Sequence, residues 1–159
     1  MKKILILFAF VIIIIGCNQP VNNTANTNLI DNYVQAVEGM DYEKMASFLA
    51  DDYMGYGPRI DDSINKSDAL ISWKFNSQNI YESINYEKSR SVGITVPNGE
   101  NQGDWVSNWA QLNIVFKNDK SEVTVWANTI YQIEDGKISK SYTFYNEADI
   151  LQQLGYSFN

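Results

Sequence analysis

The sequence predicts an α+β domain, and three observations carry that prediction. Residues 29–73 hold three short stretches whose apolar side chains recur at helical spacing, each with a capping residue at an end. Residues 84–145 then hold long runs in which apolar and polar side chains alternate with a period of two. Between the last two runs stands Glu134-Asp135-Gly136-Lys137, a tight-turn signature that makes them antiparallel neighbours.

Each element follows from its own residues. Leu29, Ile30, Tyr33, Val34 and Val37 form one stripe of an amphipathic helix, and Gly39 suits its end. Asp41 caps a second helix with Met45, Phe48 and Leu49 on its inner face, closed by Asp51-Asp52. Residues 53–56 read as a short strand broken by Gly57-Pro58, and residues 59–65 as a polar loop. Asn65 or Ser67 caps a third helix, in which Ala69, Leu70 and Trp73 share a face. In residues 84–95, Ile84, Tyr86, Val92 and Ile94 take one side and Glu87, Ser89 and Ser91 the other. A turn at Pro97-Asn98-Gly99 leads to strands over 104–116, 121–133 and 138–145. Asn146 caps a short terminal helix with Ile150, Leu151 and Leu154 inside, and Gly155 ends it.

The front of the chain reads differently. Lys2 and Lys3 precede an unbroken apolar run of twelve residues, Ile4 to Ile15. A membrane-spanning helix needs about 20 apolar residues, so the run fits the core of a signal peptide. It ends in Ile14-Ile15-Gly16-Cys17, which resembles the lipobox of bacterial lipoproteins. The resemblance implies cleavage before Cys17, a diacylglyceryl thioether on its sulfur and acylation of its new amine. Several acyl chains give stable anchoring where one gives only marginal binding. Residues 18–28 are polar, uncharged and rich in Asn, and read as a flexible tether with a reach of roughly 18 Å. The expected organisation is a signal peptide over 1–16, lipidated Cys17 and tether over 17–28, and one domain over 29–159. The expected location is the bacterial cell envelope, with the domain outside the cytoplasm and Cys17 in the bilayer.

Composition narrows the function. The chain has 159 residues and a net charge of −7, or −9 once Lys2 and Lys3 are removed, and it has no basic patch. This argues against nucleic acid as a partner. It has no histidine, so the usual general base and commonest metal ligand are missing. Its one cysteine, Cys17, excludes an internal disulfide. Asp51-Asp52 and Asp61-Asp62 lack the spacing of a calcium loop and read as solvated charges. Nothing points to a metal or cofactor.

Three segments carry a family resemblance: residues 33–41 (YVQAVEGMD) followed by 48–52 (FLADD), residues 131–138 (YQIEDGKI), and residues 150–155 (ILQQLG). In order and spacing they resemble a SnoaL-like domain of the nuclear transport factor 2-like superfamily. The resemblance implies a cone: a curved, antiparallel-rich sheet around about three N-terminal helices, with a short C-terminal helix and a pocket at the open end. It also implies frequent dimerisation through the outer sheet face. The superfamily includes ketosteroid isomerases, polyketide cyclases and epoxide hydrolases. Aligned on Asp135-Gly136-Lys137-Ile138, the cyclases' histidine and aspartate fall on Thr129 and Thr143. Neither threonine serves unaided as a general base.

Alternation assigns the two sheet faces. Val106, Asn108, Ala110, Leu112 and Ile114, then Val123, Val125, Ala127, Thr129 and Tyr131, then Ser141, Thr143 and Tyr145 face inward. The pocket candidates are therefore Tyr56, Asn108, Thr129, Tyr131, Thr143 and Tyr145, a set of hydroxyls and one amide suited to a small, partly polar ligand. The outer face carries Trp105, Trp109, Trp126 and Asn128, as a dimer interface or a stacking platform for sugars. A bulge that shifts the parity would instead make Trp109, Trp126 and Asn128 pocket residues. The expectation is binding without catalysis. An enzyme using an acid such as Asp52 or Asp104 is the alternative, and a structural subunit of an envelope complex is another.

Overall fold

The computed structural model describes residues 23–157. The signal segment, Cys17 and the front of the tether lie outside the described residues. Four helices, α1 (Asn23–Glu38), α2 (Tyr42–Ser47), α3 (Lys66–Asn79) and α4 (Glu147–Gln153), pack with one sheet of six strands. The strands are β1 (Leu49–Tyr56), β2 (Ser63–Asn65), β3 (Tyr81–Val96), β4 (Gly103–Phe116), β5 (Glu122–Glu134) and β6 (Lys137–Tyr145), in spatial order β2-β1-β6-β5-β4-β3. All neighbours are antiparallel except β1 and β6, which run parallel. Residues from all six strands line one cavity, so the open sheet is concave toward the helices.

The expected caps are present. The side chain of Asp41 accepts from the Lys44 amide at 3.0 Å, Asn65 from Asp68 at 2.9 Å, and Asn146 from Asp149 at 3.2 Å. Asp135 and Gly136 take φ values of +50° and +70°, the left-handed pair of a two-residue hairpin that matches the twist of β5 and β6. The core lies between α1 and the sheet. Ile30, Tyr33, Val34 and Ala36 of α1 meet Val106, Tyr131, Ile133 and Ile138.

The structure corrects the sequence reading at several element boundaries. The helix expected from Leu29 begins at Asn23, so residues 23–28 are helical and not part of a flexible tether. A helix docked through Ile30 and Tyr33 extends backward cheaply, because nucleation is the costly step. Residues 59–65 are not all loop: β2 pairs with the end of β1. The strand expected at 53–56 begins at Leu49, because β6 lies beside β1 and registers with it from Ile138.

The most consequential difference is in β3. Glu87 pairs with Gln111 and Arg90 with Trp109, so three steps on β3 oppose two on β4. The extra residue is a bulge, with Lys88 at φ +52°. Tyr86 and Ile84 stay inside, whereas Val92 and Ile94 turn outward and are each 44% exposed. Two carboxylates of α1 flank the kink: Glu38 accepts from the Tyr86 amide, and Asp31 from the Ser91 hydroxyl, both at 2.7 Å. Pairing of β4 with β5 is regular throughout, so no parity shift reaches the tryptophans.

Candidate functional site

The helices and the concave sheet enclose a cavity of about 740 Å³. Tyr33 of α1 and Trp73 of α3 form one wall, and Tyr86, Leu112, Val125 and Tyr131 the sheet side. Exposed lining residues mark the mouth: Asp62 between β1 and β2, Tyr145 at the end of β6, and Glu147 in α4. Ile150 and Leu151 of α4 close part of that end.

The sequence candidates differ in what they do there. Thr129 and Thr143 are direct cross-strand partners, and their hydroxyls lie 3.1 Å apart. Tyr131 is 4% exposed, with its ring edge-on to Tyr33 at 5.7 Å. Asn108 is buried and spends its side-chain N–H₂ on Ser89 and Ser91, at 2.9 and 3.0 Å. It thus fastens the β3 bulge rather than presenting a free donor. Tyr145 stands at the mouth.

Tyr56 borders the cavity, and its ring stacks on Tyr142 at 4.8 Å and 14°. Tyr142 alternates with the inward Ser141 and Thr143, so both rings lie on the outer face. The inward tyrosine of β1 is Tyr53, whose hydroxyl lies 2.7 Å from that of buried Ser141. Tyr33, Tyr86 and Trp73 were legible only as members of an apolar face, and Tyr53 only as the start of a short strand. The missing signal is that one wall of a hollow core lines a cavity with the same apolar face.

No Asp, Glu, Lys or Arg is buried among the described residues. Burial pushes the Tyr33 and Tyr131 phenols well above their ordinary value, with neighbouring tyrosines adding to it. Burial, followed by the nearby Glu38 carboxylate, pushes Tyr86 up to about 12. These phenols stay protonated near neutral pH and act as hydrogen-bond groups with electron-rich faces. Neither Asp52 nor Asp104 lines the cavity, and Asp104 accepts from the Thr95 hydroxyl at 3.0 Å. Among the described residues no group of His, Cys, Asp or Glu is arranged to hold a metal.

The outer face divides. Trp109 and Trp126 are 40% and 58% exposed, and with Asn128 and Phe144 they border a shallow depression. The Asn128 amide donates to Ser107 at 2.8 Å and to the Asn108 carbonyl at 3.1 Å. Trp105 does not belong to this patch. It is 5% exposed, its indole N–H donates to the Asn101 carbonyl at 2.9 Å, and its ring stacks with Tyr142 at 6.2 Å. The turn between β3 and β4 covers the ring, which alternation alone could not show.

No protein-family model matches the chain, and no curated protein sequence matches it significantly. Solved structures do match in fold. One is a candidate SnoaL-like polyketide cyclase of Shewanella denitrificans, with a TM-score of 0.63, 11% identity, and coverage of 80% of this chain and 95% of that one. The fold is that of the SnoaL-like, nuclear transport factor 2-like domains. An LEH-like epoxide hydrolase of M. tuberculosis has the same fold at a TM-score of 0.63 and 13% identity, over 83% of this chain and 90% of that one. A Catenulispora acidiphila protein with a ketosteroid isomerase-like fold, in complex with trimethylamine, matches at 0.60 and 15% identity, over 81% and 93%.

Proposed function

We propose that this protein is a lipid-anchored binding protein of the bacterial cell envelope. Its SnoaL-like domain holds a small, partly polar molecule in the cavity without turning it over. The observation that carries this reading is the pairing of Thr129 with Thr143, 3.1 Å apart, inside a cavity whose buried lining has no charged group. Hydroxyls and phenols there bind and orient a ligand but do not exchange protons near neutral pH. A structural neighbour in complex with trimethylamine supports a small molecule as the occupant. Cys17 supplies the anchor in this reading. Among the described residues no helix is long and apolar enough to cross a membrane. The exposed patch of Trp109, Trp126 and Phe144 is where two copies would meet.

The test is a ligand screen with the full chain in detergent, read as thermal stabilisation. A bound molecule raises the apparent stability as its concentration passes its dissociation constant. Stabilisation by members of a chemically diverse panel is expected, and a flat response across the panel rejects binding. Measurable consumption of an epoxide or a 3-oxo-Δ5 steroid would overturn the non-catalytic half. For the anchor, Cys17→Ala is expected to abolish labelling by fatty-acid probes.

A further inference from the structure

The charge around the cavity is one-sided. Among its lining residues the formally charged ones are Asp62 and Glu147, and both are carboxylates at the mouth. Among the described residues neither is in an ion pair; the pairs are Arg59–Asp61, Lys66–Asp51 and Lys120–Glu82. Asp62 is held in place by its backbone. Its carbonyl accepts from the Gly57 amide at 3.2 Å, and a Cβ at Gly57 would stand 2.9 Å from the Asp62 Oδ2. The carboxylate therefore lies against Gly57, itself a lining residue. Glu147 follows the capping Asn146 directly. Burial raises the Tyr145 phenol above its ordinary value, and the Glu147 and Asp62 carboxylates lie close enough to add to the rise.

Behind this acidic mouth the walls are aromatic. Tyr33, Trp73, Tyr86 and Tyr131 line the inner cavity from α1, α3, β3 and β5. An aromatic face carries negative potential and attracts a cation, most strongly where water is excluded. The fold already shows such contacts. The Lys74 ammonium stands 5.9 Å from the centre of the Tyr42 ring, and Lys88 stands 5.8 Å from that of Trp126. An anion would meet two carboxylates and no Lys or Arg among the lining residues. A neutral apolar molecule would use the walls but gain nothing from Asp62 and Glu147. A weakly hydrated organic cation gains from both, and the chain's net charge of −7 adds to its attraction.

We propose that the cavity takes an organic cation with an alkylated ammonium head, seated against Tyr33, Trp73, Tyr86 and Tyr131 and drawn in past Asp62 and Glu147. This rests on the binding reading above and names its ligand class. Such a head alone leaves much of about 740 Å³ unfilled, so the ligand carries an apolar body along Leu112 and Val125.

Two pairs of probes test it, each a cation and its uncharged carbon isostere. The first is choline with 3,3-dimethylbutan-1-ol; the second is hexanoylcholine with 3,3-dimethylbutyl hexanoate. Affinities are measured by calorimetry on the full chain in lipid nanodiscs, with empty nanodiscs as blank. Each cation is expected to bind at least about tenfold tighter than its isostere, and hexanoylcholine tighter than choline. Asp62→Asn with Glu147→Gln is expected to cost the cations about three- to tenfold, less at high salt, and to cost the isosteres less. Both substitutions are at exposed positions, so the folded domain is retained. Trp73→Leu is expected to weaken the cations more than the isosteres. Isosteres that bind as tightly as the cations would overturn this inference and leave the binding reading intact. If neither probe pair nor any member of the ligand screen binds, both fail.

Discussion

Thr129 and Thr143 stand directly opposite each other on β5 and β6, with their hydroxyl oxygens 3.1 Å apart on the cavity wall. One hydroxyl donates to the other, and both residues are half-buried. The pair therefore serves packing and polarity but supplies no acid or base. Thr143→Val keeps the shape and removes one partner. It is expected to lower stability by about 0.5–1.5 kcal/mol, read from the urea midpoint, with the far-ultraviolet spectrum unchanged. A loss well above that range would mean that Thr143 supports more than its partner.

Tyr53 and Ser141 make the deeper bond, at 2.7 Å between two buried residues. Tyr53→Phe leaves the serine hydroxyl without that partner, and the expected cost is about 1–3 kcal/mol. Ser141→Ala in the same chain is expected to recover part of it, because no orphaned group then remains. A double-mutant cycle measures the coupling, expected at about 0.5 kcal/mol or more. Strict additivity would show that the bond contributes nothing. Gly55→Ala disturbs the same place from the backbone, since its Cβ would collide with the Tyr53 hydroxyl.

Strands β4 and β5 were legible because their pairing is regular throughout, and Asp135-Gly136 marks the hairpin to β6, where the register slips by one residue between Ile138 and Lys140. The inward positions of Thr129 and Tyr131 followed from that parity, whereas Thr143 stands opposite Thr129 only because of the slip, without which Thr129 would face Tyr142. Three things had no local signature. The β3 bulge depends on side chains far away in sequence, Asn108 and the α1 carboxylates, which hold the kink at Lys88. The outward turn of Tyr56 depends on the parallel register of β1 with β6, which no single strand encodes. Trp105 is buried because Asn101 in the preceding turn folds over it. In each case a tertiary contact decides the face or its exposure, and alternation within the strand does not.

The cavity tyrosines make stability depend on pH at the alkaline end. Tyr33, Tyr86 and Tyr131 have phenols pushed up mainly by burial, Tyr86 to about 12. A phenol whose folded value is raised contributes stability fully below the unfolded value of about 10 and loses it as pH rises toward the folded one. Stability is therefore expected to be insensitive to these groups below about pH 10 and to fall above it. Absorbance at 295 nm should show a fraction of the ten tyrosines still protonated at about pH 11 and released only as the chain unfolds. All ten titrating in one step near 10 would contradict a closed tyrosine wall.

Trp126 decides what the outer face is for. With Trp109 and Phe144 it exposes indole and phenyl surface on a regular pair of strands, next to an Asn128 amide already satisfied within the sheet. Such a patch gains by being covered, at roughly 25 cal/mol per Å² of apolar surface removed from water. In the proposed dimer a second copy would cover it symmetrically, using the same residues from both sides. Trp126→Glu places a carboxylate in that contact and also alters the ring over which Lys88 sits at 5.8 Å. The expected result is a shift from dimer to monomer in sedimentation velocity, with the melting curve of the monomer still cooperative. Cavity binding by the choline probes is expected to survive, because Trp126 lies on the face opposite Val125 and Ala127. An unsubstituted chain that sediments as a monomer at about 100 µM, well above the Kd of a stable dimer, rules out self-association through this face.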